Sequence, residues 1–129
     1  MKSFALRLHP NQDLKQKLIR FTQENKIKAG AILTCVGSLK KAVIRTANKE
    51  ESMDIEQNFE IVSLTGTLCQ NDVHIHISLS DEEGHVIGGH LKEGCIIRTT
   101  AEIVIISFEE FSFRREFDTE TGYKELHIH

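Results

Sequence analysis

Val73-His74-Ile75-His76-Ile77-Ser78-Leu79-Ser80 alternates without a break. Val73, Ile75, Ile77 and Leu79 project to one side of an extended chain, and His74, His76, Ser78 and Ser80 to the other. This period of two predicts a strand with one face in a core. Asp81-Glu82-Glu83-Gly84-His85 follows, and then Val86-Ile87-Gly88-Gly89-His90-Leu91. A three-residue loop, Glu82-Glu83-Gly84 with Gly84 left-handed, makes Asp81 the partner of His85. Leu79 then faces Ile87, Ile77 faces Gly89 and Ile75 faces Leu91, so apolar residues meet on one face. His90 falls opposite His76, with His74 diagonal to it. A slip of one residue would carry His90 to the core side.

Outward from this hairpin, Ser3 to Leu8 alternates as a strand, with Phe4, Leu6 and Leu8 on one face. Pro10-Asn11 breaks it. Asn11 is the expected helix N-cap and Asp13 falls in the first turn. Leu14, Leu18 and Phe21 mark one helical face, and Asn25 marks its end. Strands follow at Ala31–Val36 and Ala42–Thr46, then a polar loop from Asn48 to Asn58. Phe59–Thr65 and Thr67–Leu68 flank Gly66, read as a bulge or bend. Ile96-Ile97 and Ile103–Phe108 are apolar, Phe111, Phe113 and Phe117 alternate around Arg115, and Tyr123–His129 closes the chain as a short strand. One main α-helix against many strands joined by short turns predicts an α+β fold. Its sheet is largely antiparallel, a sandwich or barrel-like in form.

At 129 residues the chain is read as a single domain, 1–129. Apolar residues are 40% and charged residues 27%, the composition of a globular protein rather than a disordered one. No apolar run approaches the ~20 residues of a membrane span. Met1–Arg7 holds no apolar secretory segment. Cys35, Cys69 and Cys95 form no CxxC pair and lie in apolar segments. They are read as packed thiols of a reduced, cytoplasmic protein. Sixteen Lys and Arg against nineteen Asp and Glu give a net charge of −3, without the basic excess of a dedicated DNA-binding domain. The pairs Lys40-Lys41 and Arg114-Arg115 read as solvated strand ends.

Two histidines at i and i+2 on a strand stand ~7 Å apart, within reach of one metal ion. His74, His76 and His90 together form a three-imidazole set with an open fourth position, as in a zinc site that keeps a water or ligand. The alternative is a solvated polar face whose rings stack or hydrogen-bond. Gly88-Gly89 beside His90 marks a close approach by a backbone or ligand, or simply room for Ile77. His127 and His129 repeat the spacing at the exposed chain end. His9 and His85 read as turn residues.

Two functions fit such a set. One is a binding module with a metal that is structural or receives a small-molecule ligand. The other is a metal-dependent enzyme, in which bound water becomes a nucleophile near neutral pH and a side chain moves the proton. Glu60 and Glu102, each set in an apolar strand, are the candidates for that acid–base role or for orienting the histidines. Their bland reading is a sheet edge or a pair with an arginine such as Arg98. The run Ile103-Val104-Ile105-Ile106, apolar on both faces, has more cover to find than one helix gives, which predicts a subunit interface.

Phe59-Glu60-Ile61-Val62-Ser63-Leu64-Thr65-Gly66-Thr67, His74-Ile75-His76 and Gly84-His85-Val86-Ile87-Gly88-Gly89-His90-Leu91, in this order, resemble the plant and prokaryote conserved domain, the PPC family. The resemblance covers nearly the whole chain. It implies a compact α+β homotrimer, and in stand-alone prokaryotic members a metal, taken as zinc, held by histidines matching His74, His76 and His90. In plants the domain is joined to AT-hook segments in nuclear DNA-associated proteins, where the motif opens Gly-Arg-Phe-Glu-Ile-Leu. Here Gln57-Asn58 replaces Gly-Arg, and no Arg-Gly-Arg-Pro hook is present. The family's DNA-binding label therefore carries over poorly, and weak, sequence-independent DNA binding stands only as a third reading beside the metal-binding module and the enzyme.

Overall fold

The computed structural model describes residues 1–129. In chain order the elements are β1 (Lys2–Leu8), α1 (Leu14–Glu24), β2 (Gly30–Arg45), β3 (Met53–Ile55), β4 (Phe59–Cys69), β5 (Asp72–Ser80), β6 (Val86–Leu91), β7 (Ile96–Ser107), β8 (Phe113–Phe117) and β9 (Lys124–Ile128). The main sheet is antiparallel, with strand order β1-β7-β2-β4-β5-β6 and β3 beside β2, while β8 and β9 make a separate hairpin. The expected α+β class holds. The sheet coils until β6 meets the far end of β2, through Ile44↔Leu91 and Arg45↔His90. That seam is only two residue pairs long, so the form is barrel-like without being a closed barrel. No helix is long and apolar enough to cross a membrane.

The β5–β6 hairpin takes the register its alternation predicts. Leu79 pairs with Ile87, Ile77 with Gly89 and His76 with His90. The Asp81 N–H donates to the His85 carbonyl at 2.9 Å, and Gly84 has φ +84°. One expected pair is missing, because Leu91 faces Ile44 of β2 instead of Ile75. Strand β6 leaves β5 after His90, and Gly89 permits the exchange. A Cβ on residue 89 would lie 2.5 Å from the Arg45 carbonyl oxygen, and one on residue 88 would lie 2.6 Å from that of Ile77. The two glycines thus let backbone approach from both neighbouring strands.

Elsewhere the structure corrects several boundaries. The N-cap is Asp13, not Asn11. Asp13 is extended, and its Oδ1 accepts the Gln16 N–H at 3.0 Å while Oδ2 accepts the Gly94 N–H at 2.7 Å. Asn11 is left-handed, with φ 73°, a geometry that cannot start a helix. Asn25 ends α1 as expected. The two strands expected at 31–36 and 42–46 are one sixteen-residue strand, bent by register shifts against β7. The polar loop 48–58 contains β3. β4 continues through Gly66, and its register shift falls between Ile61 and Ser63.

The core is what these alternations point inward. Leu14 and Leu18 of α1 are fully buried, with Leu39 and Ile44 of β2, Ile75, Ile77 and Leu79 of β5, and Ile97, Ile103 and Ile105 of β7. Each such side chain contributes roughly 1.5–3 kcal/mol by leaving water. All three cysteines are free and buried. Burial pushes the Cys35 and Cys95 thiols up to about 11, which leaves them unreactive at neutral pH. The outer face of the sheet is different. Leu33 and Val36 of β2 and Val62 of β4 are 67%, 63% and 56% exposed.

Candidate metal centre

The alternation of β5 places His74 and His76 on its outer face, where they pair with Thr67 and Thr65 of β4. The β5–β6 register adds His90 directly opposite His76. Ring centroids are 4.9 Å apart for His74–His76, 5.1 Å for His74–His90 and 5.9 Å for His76–His90. One ring nitrogen from each lies within 4.8 Å of the other two. The structure thus gathers the three histidines expected from the sequence.

The next neighbour was not expected. The β8–β9 hairpin docks on the turn between β4 and β5. The Arg115 N–H donates to Asn71 Oδ1 at 3.2 Å, and the Arg115 carbonyl accepts from Asn71 Nδ2 at 3.1 Å. The side chain of Arg115 is therefore buried, not a solvated strand end. Its Nη2 donates to His74 Nδ1 at 3.1 Å and to the Lys124 carbonyl at 3.0 Å. A guanidinium can only donate, so His74 Nδ1 presents its lone pair and the neutral ring carries its proton on Nε2.

The surroundings of His74 and His90 disfavour their charged forms. Burial first, then the charges of Arg115 and His76, hold His74 below its ordinary 6.5, against the smaller pull of Glu125 and Asp72. Burial and the fields of His74, Arg45, Lys15 and Lys92 push His90 down to about 4. His90 Nδ1 is also buried with no hydrogen-bond partner. An unpartnered buried nitrogen beside two more imidazoles fits a borderline-soft divalent metal such as zinc. Ligation through His74 Nδ1 requires Arg115 to give up its bond there.

Other sequence candidates stand elsewhere. Glu60 and Glu102 are exposed and lie outside the histidine group. Glu60 pairs across the sheet with Ser38 and Ser80, and Glu102 accepts from Thr100 Oγ1 at 3.3 Å. Each is the outward residue between two buried ones, Phe59 and Ile61 or Ala101 and Ile103, so ordinary alternation explains them. Within one chain neither belongs to the histidine group. His127 and His129 lie in a second, exposed group with Glu116, whose Oε2 is 3.3 Å from His127 Nδ1.

Sequence reasoning also passed over Arg45 and Tyr123. Arg45 stands over the Tyr123 ring, its Cζ 5.9 Å from the centroid. With His76, His90, Gly88 and Gly89 they line a cleft of about 660 Å³. Arg115 had one sequence signal. It occupies the register position between Phe113 and Phe117, where an apolar residue was due.

The family model described as the Plants and Prokaryotes Conserved (PCC) domain matches residues 1–109. Over 128 residues, 99% of its length, the chain is 45% identical to the bifunctional protein GlmU of Synechococcus sp. (strain JA-3-3Ab). It covers 21% of that protein, about a fifth of the relative's length. A hypothetical protein from Salmonella cholerae-suis (Salmonella enterica) superposes with a TM-score of 0.97 at 39% identity, covering 99% of this chain and 93% of that one. A metal-containing protein from Archaeoglobus fulgidus superposes with a TM-score of 0.81 at 30% identity, covering 97% and 92%.

Proposed function

The chain belongs to the Plants and Prokaryotes Conserved (PCC) domain family, and from that premise we propose that it is a metal-binding module whose His74, His76 and His90 hold one divalent ion, zinc or a close equivalent. The observation that carries this is the convergence of the three imidazoles around the buried, unpartnered Nδ1 of His90. The Archaeoglobus relative, similar along nearly its whole length, is a metal-containing protein, which supports the reading. Three imidazole ligands leave a fourth position for water or a small ligand. Glu60 and Glu102 are turned to solvent, and the function favoured is binding rather than catalysis.

Metal content after dialysis against a weak chelator tests this. The wild type should retain one ion per chain and His76→Ala should retain none, because coordination at the centre of the set is lost. His127→Ala should match the wild type. It is a stringent control, since His127 belongs to the exposed group with Glu116 and His129. Equal loss in both variants would mean surface chelation, and full retention in His76→Ala would remove the centre.

The module is further proposed to be a homotrimer, the assembly that its family resemblance implies. Leu33, Val36 and Val62 expose an apolar outer face that a second copy can cover. Sedimentation equilibrium should give three times the chain mass at micromolar protein, and Leu33→Glu should shift it towards the monomer. A monomeric wild type would reject the assembly.

A further inference from the structure

The charges around the histidines do not balance. The cleft lined by His76 and His90 carries Arg45 and Lys49 and no acidic residue. A second cleft of about 330 Å³ shares Arg45, His90 and Tyr123 with the first and adds His74. Four more cations line it, Lys15, Lys92, Arg115 and Lys124, against two acids, Asp72 and Glu125. None of these cations has a carboxylate within 4.0 Å, for the chain's ion pairs all lie elsewhere. Arg115 is only 9% exposed, and its guanidinium contacts are an imidazole nitrogen and a carbonyl. A cation that deep without a counter-charge is costly, and a structure that keeps one has a use for it. Three neutral imidazoles would supply no negative charge to a divalent ion either.

We propose that the paired clefts form an anion site, which takes a small molecule presenting a carboxylate or phosphate group, with Arg45 as its principal anchor. A guanidinium matches the paired oxygens of either group. Arg45 borders both clefts, and its stacking on Tyr123 holds it at their shared wall. A volume of about 660 Å³ suits a metabolite-sized ligand. The inference rests on the metal reading in one respect, that the anion would also complete the open position of the ion.

Calorimetric titration with inorganic phosphate and with succinate, on metal-free and zinc-loaded protein, tests the site and separates the two oxyanion sources. Saturable binding of at least one probe is expected, tighter in the zinc-loaded form. Arg45→Met should weaken it by at least about tenfold, the loss of a charge-assisted contact. Arg98→Met, which removes an exposed cation from β7, should leave it unchanged. Zinc uptake without saturable binding of either probe overturns the anion site and leaves the metal reading standing. Failure to take up zinc, with probe binding that still depends on Arg45, overturns the metal reading alone. Equal weakening by both substitutions overturns the site, since it would reflect net charge only.

Discussion

Gly89→Val is expected to destabilise the fold by about 3 kcal/mol and to empty the metal centre in the same step. The Cβ of any residue there would meet the Arg45 carbonyl oxygen at 2.5 Å and its carbon at 3.1 Å. Neither atom can swing aside as a side-chain tip does, because both belong to the backbone of β2. Strand β6 must then part from β2 along the seam Ile44↔Leu91 and Arg45↔His90. His90 is the next residue and moves with it, away from His76, and Arg45 loses its place beside the cleft. Gly84→Ala is the proper contrast. Residue 84, unlike residue 89, needs a positive φ, +84°, but a Cβ there has no atom within 4 Å. Its cost is conformational, about 1 kcal/mol, and metal content should not change. Urea unfolding of both variants, with metal analysis of the folded protein, checks the pair. Gly89→Val with wild-type stability and full metal would show that the β2–β6 seam does not hold the centre.

The seam also marks where the sequence stopped being readable. The strand pattern of β5, the turn at Gly84 and the pairing of His76 with His90 all follow from local rules, because alternation and a left-handed glycine act over a few residues. Leu91 breaks from that reading, since its partner is Ile44, on a strand that no local pattern ties to β6. The two glutamates stand away from the histidines for another reason. Glu60 and Glu102 looked intrusive in apolar runs, yet a strand buried on one face must place its alternate residues outward. Asp13 against Asn11 shows the same limit at small scale. Both can cap a helix, and only the left-handed backbone of Asn11 decides between them. Arg115 was the costliest omission. Its contact with His74 depends on the β8–β9 hairpin docking against Asn71, a tertiary event that leaves only an oddly placed arginine as its trace.

Arg115→Met is therefore expected to strengthen zinc binding, by at least about tenfold at pH 7.5 in a buffer free of oxyanions, because it removes a like charge beside the centre. The hydrogen bonds that dock β8 on Asn71 use the Arg115 backbone, so they survive the substitution. What is lost is the guanidinium, with its bonds to His74 Nδ1 and the Lys124 carbonyl. His74 Nδ1 then becomes free to ligate. The pKa of His74, held down first by burial and second by Arg115, rises towards 6.5. That rise increases proton competition below pH 6.5 and adds little at 7.5, so the gain should shrink as the pH falls from 7.5 to 5.5. The same substitution should weaken phosphate or succinate binding, since it removes one cation from the second cleft. Opposite signs for the two ligands cannot come from a general loosening of the fold, which would weaken both. Competition with a chromogenic zinc chelator gives the first quantity and calorimetry the second. A fall in zinc affinity would show that Arg115 positions His74 for the metal instead of competing with it, and would reverse the role assigned to this arginine.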